Sequence, residues 1–174
     1  MATTSQRPWR QHRRTGAIAL ALSLSFLLCG QAAAMALAGR TDNGAAVDLR
    51  SLRGQVVMLF LWSTSCPVCL DKQPELRRNL AGWANQPFVI VAVNHDAERA
   101  DYDRYTRLRQ QLLPPNPQWI DLWRGAPGHR DDLGPLPAQA PVTVLLDREG
   151  RVRLRVVGRI APDLWDEVAA LVLN

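Results

Sequence analysis

Lysine, histidine and cysteine are all scarce in this chain. Lys72 is the single lysine, every other basic residue is arginine, and there are three histidines and three cysteines in 174 residues. No apolar run reaches the roughly 20 residues of a membrane span. The longest N-terminal run, residues 17–29, has 13. The formal charge of +5 is not a nucleic-acid footprint either. Arg7, Arg10, Arg13 and Arg14 fall in residues 1–34 without a single acid, and beyond them 17 basic residues face 16 acidic ones. A patch of one sign on a folded surface is therefore not expected. Internal repeats and low-complexity tracts are missing after the first 34 residues. What remains is a hydrophobic content of 47%, enough for one ordinary core.

The N-terminus reads as a leader. A basic region at residues 10–14 precedes the apolar run, and Ala32, Ala33 and Ala34 then offer a small-x-small cleavage site, with alternatives after Ala36 or Ala38. Arg13-Arg14 fits a twin-arginine signal poorly. Leu28 stands where a lipidated Cys29 would need a small residue. General secretory export to the periplasm is expected, with retention as an N-terminal anchor as the alternative. The domain organisation is then a signal peptide over 1–34 and one domain over 37–174.

Export alters the meaning of the cysteines. Cleavage after Ala34 removes Cys29 and leaves Cys66 and Cys69, whose loop is too small to staple a fold. In an oxidising compartment such a pair is a metal site or a reversible disulfide. Zinc needs four ligands, and His95 and His129 are far apart without finger spacing. Haem attachment needs histidine after Cys69, where Leu70 stands. Redox chemistry is the surviving reading. The surroundings fit it, because Val56–Trp62 is a buried strand in pattern, Ser63 to Ser65 a turn, and Cys66 the start of a helix over 67–83. A helix N-terminus favours a thiolate there.

Along the chain, Asn43-Gly44 marks a turn between two short segments, and residues 51–54 form a second turn. Residues 88–93 form a second buried strand, parallel to the first. Residues 97–113 form a helix with Tyr102, Tyr105, Leu108 and Leu112 on the face towards the sheet. Residues 114–141 are irregular, with seven prolines, and Trp119 and Trp123 are expected on a short helix over the sheet edge. Residues 142–146 and 152–157 form a hairpin, and 162–173 a closing helix with Leu164, Val168, Leu171 and Val172 inward.

This order resembles the thioredoxin fold, an α/β architecture with a central mixed sheet flanked by helices. More narrowly it resembles the TlpA/ResA-like family of exported thiol–disulfide oxidoreductases. ALAGRTDNGAAVDLRSLRGQ is similar to that family's N-terminal extension, FLWSTSCPVC to its strand-turn-CxxC signature, and APVTVLLDREGRV to its segment beginning with a cis-proline. Trp62 falls at the signature tryptophan and Pro74 at the kink proline of the active-site helix. The resemblance implies that Cys66 is an exposed nucleophile and Cys69 a buried resolving thiol. It implies a cis bond at Pro141, with Ala140 set against the disulfide. Trp62, Pro67, Val68 and Pro74 would support the site. Protein clients carrying disulfides, a membrane electron donor of the DsbD type, a monomer, and neither cofactor nor metal follow from the same resemblance. Phe60 and Lys72 depart from it, standing where relatives place carboxylates near the second cysteine. A lysine there could lower a thiol pKa if it reached the pair. The favoured function is disulfide reduction. The alternatives are a disulfide-forming oxidant, a Sco-like copper chaperone with His129 as ligand, and a redox-inactive scaffold.

Overall fold

A computed structural model describes Met1 and residues 35–174. The expected leader therefore lies outside the described residues. No helix among the described residues is long and apolar enough to cross a membrane.

The central strand is β3, Val56–Trp62, whose seven residues are all buried. A strand shows alternate side chains to opposite faces, so a strand apolar throughout needs cover on both. The structure supplies it. Helix α1, Pro67–Gly82, follows β3, and strand β4, Phe88–Asn94, pairs parallel to it with Val56 opposite Phe88 and Trp62 opposite Asn94. Helix α2, Arg99–Leu112, leads to strand β5, Trp119–Trp123, parallel to β4. Strands β7, Val142–Leu146, and β8, Val152–Val157, form an antiparallel hairpin beside β3, and helix α3, Leu164–Leu173, ends the chain. The sheet order is β5-β4-β3-β7-β8.

Val56, Met58, Phe60 and Trp62 face one core with Leu76 and Leu80 of α1, Tyr102 of α2, and Val168 and Val172 of α3. Val57, Leu59 and Leu61 face a second core, closed by Leu37, Val47, Leu49 and Leu133. Each such side chain stabilises by about 1.5–3 kcal/mol on full burial. The second core is roofed by a small sheet. Strand β1, Leu37–Arg40, pairs antiparallel with β2, Ala46–Asp48, and with β6, Arg130–Asp131. Gly44 takes a positive φ of 84° in the β1–β2 turn, a conformation that suits glycine.

Two expectations are corrected. Trp119 and Trp123 lie on a strand rather than a helix. Residues four apart share a face in both structures, and here the pairing of Ile90 with Trp119 along β4 decides. The inward face of α2 is also rotated from the expected one. Tyr102 and Thr106 are buried, whereas Leu108 is 57% and Leu112 70% exposed. Arg109 continues the inward stripe because Asp121 of β5 receives it, with Nη2–Oδ2 at 2.6 Å and Nη1–Oδ1 at 2.8 Å.

That pair is nearly enclosed, at 10% and 15% side-chain exposure. Asp121→Ala strands the Arg109 charge and should lower stability by about 3–5 kcal/mol, read as a fall in urea midpoint. Replacing both residues by apolar ones of similar size should restore most of that loss. A second expectation concerns acid. Burial pushes the Asp131 and Asp147 carboxyls up, but hydrogen bonds from Arg124 and Arg151 respectively outweigh it, and both end below the ordinary 3.8. A carboxyl whose folded pKa is depressed stabilises the fold above its unfolded pKa and stops doing so as pH falls through the folded value. Urea midpoints taken from about pH 5 to about pH 2 should therefore fall below pH 4, and a flat profile contradicts this.

Candidate active site

Strand β3 delivers its last residue, Trp62, to the carboxyl end of the sheet, and the chain turns through Ser63, Thr64 and Ser65 into α1. The turn is held from both sides. Asp96, two residues past β4, accepts from the Thr64 amide through Oδ1 at 2.9 Å, and its Oδ2 accepts from Asn94 Nδ2 at 2.9 Å. The Trp62 carbonyl accepts from the His95 amide at 2.9 Å. Opposite, the Ser63 hydroxyl donates to the Ala138 carbonyl at 3.1 Å.

Cys66 is the N-cap of α1, and its Sγ accepts from the Cys69 amide at 3.1 Å. One of the orphan N–H groups of the first turn thus points at sulfur, where it favours negative charge. Cys66 and Cys69 are joined in a disulfide, their Cα atoms 5.2 Å apart. Pro67 occupies the first helical turn, where its missing N–H costs nothing, and Val68 is half-buried against the core. The helix runs on through Pro74 to Gly82, leaving the Leu70 carbonyl without its intrahelical donor.

The expected exposure of Cys66 is not found. Both cysteines are fully buried, so Cys66 is not exposed in the disulfide form. Its place in the core cluster with Cys69, Ile160 and Leu164 accounts for this. The expected cis bond at Pro141 is also absent, and no peptide bond among the described residues is cis. The trans form is ordinarily preferred by about 0.5–1 kcal/mol. With it, the Pro141 carbonyl accepts from Gly158 N at 2.8 Å and Val142 pairs with Leu61 and Val157. Ala138, two residues before Ala140, makes the hydrogen bond to the cysteine turn.

Trp62 is fully enclosed, its ring 4.9 Å from that of Tyr105 and 6.5 Å from Tyr102. It braces the turn from below. Phe60 is equally buried and brings no carboxylate. Lys72 is buried too, but its ammonium is committed to Glu75 Oε2 at 2.7 Å and to the Ile160 carbonyl at 3.4 Å. Asp71 points outward to Arg159. His129 sits beside β6, bonded to Asp131 at 2.9 Å. Among the described residues no three histidine, cysteine or acidic side chains gather as a metal site. Sequence reasoning missed Asp96, Asn94 and Ala138. An Asn-x-Asp closing an apolar strand was the available signal for the first two.

The model of the AhpC/TSA family matches residues 30–155. The chain belongs to that family. The DsbE thiol:disulfide interchange protein of Vibrio cholerae is 31% identical over 129 residues, 74% of this chain and 64% of that protein. The thiol-disulfide oxidoreductase ResA of Halalkalibacterium halodurans is 25% identical over 130 residues, 75% of this chain and 69% of the relative. The chain spans under two thirds of the length of the DsbE relatives from Vibrio cholerae and Pseudomonas aeruginosa. Among solved structures, a Chlorobium tepidum protein assigned as DsbE superposes with a TM-score of 0.61 at 27% identity, over 82% of this chain and 95% of that one. A secreted disulfide oxidoreductase of Mycobacterium tuberculosis gives 0.57 at 22% identity, over 77% and 95%. The fold of this AhpC/TSA member is thus thioredoxin-like, and the resemblance read from the sequence holds at the level of that superfamily.

Removing the Asp96 carboxylate tests the clamp. Asp96→Ala should cost about 1–3 kcal/mol and raise the exchange rate of the Thr64 amide well above that of strand amides. Unchanged protection of Thr64 contradicts the role given to Asp96.

Proposed function

We propose that this AhpC/TSA family member is an exported thiol–disulfide oxidoreductase that reduces disulfides of periplasmic client proteins. The observation that carries the reading is the cysteine pair at the N-terminus of α1, with the Cys69 amide donating to Cys66 Sγ. A sulfur so placed is stabilised as thiolate by the helix terminus. The names of the DsbE and ResA relatives support the same chemistry.

In the reduced protein the Cys66 thiolate attacks one sulfur of a client disulfide. A mixed disulfide forms and the other client sulfur leaves as thiolate, taking a proton. The Cys69 thiol then loses its proton and attacks Cys66 Sγ, which releases the second client thiolate and closes the Cys66–Cys69 bond. Two electrons pass to the client, and a membrane donor of the DsbD type returns the pair to the dithiol. Because both cysteines are buried in the disulfide form, that donor must displace residues packed around them to reach the pair. Trp62, Pro67, Val68 and Pro74 shape the turn and the helix start, and Ala140 and Pro141 belong to the segment beside it. Residues 1–34 serve as the export signal of the domain over 37–174, which works as a monomer without cofactor.

Cys66→Ser should abolish insulin reduction by the purified protein, and Cys69→Ala should accumulate mixed disulfides with clients. The equilibrium potential of the pair should lie near that of thioredoxin, about −270 mV, and a value near −120 mV would make the protein an oxidant instead.

A further inference from the structure

Away from the disulfide, α1, α2, β5 and the β1–β2 turn line a half-open pocket of about 480 Å³ whose lining includes Arg77, Arg109, Trp119, Asp121, Leu113 and Pro114. Its size falls within the range of small-molecule sites, about 300–1,000 Å³. Both acids that line it are already engaged. Asp121 is taken up by Arg109 and by the Trp119 indole N–H at 2.8 Å, and Asp42 on the rim by Arg99 at 2.9 Å and the Tyr102 hydroxyl at 3.1 Å. Arg77 is left over. Its guanidinium lies 3.7 Å from the Trp119 ring centre, forms no ion pair or hydrogen bond with any described residue, and has Nη2 shut off from water. Burial, and after it the charge of Arg109, lower its pKa to about 10. A half-buried cation without an anion is costly, and proteins seldom keep one unless something else neutralises it.

We infer that this cavity binds a small organic monoanion, a carboxylate whose charged end meets the free edge of Arg77 and whose apolar body lies on Leu113, Pro114 and Trp119. Stacking on Trp119 occupies a face of the guanidinium and Nη2 is sealed, which leaves the other in-plane N–H groups as donors to a carboxylate. Arg77 is the lining cation without an ion-pair partner, and Asp42 and Asp121 line the same space, which disfavours a dianion. The apolar wall disfavours a strongly hydrated ion such as phosphate. The site stands apart from Cys66 and Cys69 and does not rest on the redox reading.

Calorimetric titration of the full chain with benzoate, benzamide and inorganic phosphate tests the inference. Benzoate should bind at one site, and benzamide, its neutral analogue, at least about tenfold more weakly, the loss expected for a hydrogen bond to a charged group. Phosphate should bind more weakly than benzoate. Arg77→Met keeps the packing on Trp119 and should weaken benzoate by at least about tenfold. On the unaltered protein the Trp119 indole resonance should shift with benzoate at concentrations that leave it unmoved by benzamide, which decides the question even if the variant does not fold. No benzoate binding, equal binding of benzamide, stronger binding of phosphate, or an Arg77→Met protein that titrates as the parent each overturns it.

Discussion

The parallel pairing of β3 with β4 is the constraint on which the site depends. Its register sets Trp62 opposite Asn94, so Asp96 emerges two residues later within reach of the Thr64 amide. That hydrogen bond and the His95–Trp62 contact fix the turn between strand and helix. With the turn fixed, Cys66 becomes the N-cap and Cys69 the third helical residue, their Cα atoms close enough for a disulfide. A slip of one residue would exchange the two faces of β3 and put Trp62 into the wrong core. Both cores therefore enforce the geometry of the turn, the first of them through Trp62 and Cys66 on either side of it.

The electrostatics around the pair are unusually bare. Phe60 fills the space beneath with hydrocarbon, Lys72 spends its charge on Glu75 and a carbonyl, and Asp71 turns to solvent with Arg159. On the proposed chemistry, the balance between thiolate and disulfide then rests mainly on the helix terminus and on the Cys69 amide. A buried carboxylate able to take the Cys69 proton is not part of the site. On the proposed chemistry the Cys69 proton goes to the departing client thiolate or to water.

The proline-rich segment before β7 joins the layers of the molecule. Leu133 and Leu136 drop into the core beneath the small sheet, and five residues after Leu133 the Ala138 carbonyl holds Ser63. Arg124 reaches across to Asp131 and to the Gly134 carbonyl, and so pins the start of that segment. Movement of these residues would be felt at the cysteine turn and at the extension sheet together.

Strands β3 and β4, the helix starting at Cys66, the β7–β8 hairpin and the closing helix were all legible in the amino-acid sequence. Continuous apolar runs, a proline at the helix start and a glycine near the hairpin tip are local signals, and local propensity suffices to read them. The redox pair was legible for the same reason, since two residues of spacing on a helix already bring the sulfurs together. Other features were decided only by tertiary contacts. Trp119 and Trp123 became a strand because β4 offered an unpaired edge, and α2 turned its leucines outward because Asp121 received Arg109. The clamp by Asp96 and Ala138 joins residues 32 and 75 apart along the chain, and the burial of Cys66 and the setting of Pro141 likewise rest on tertiary partners. No local pattern encodes such partners, because they exist only once the sheet has set its register.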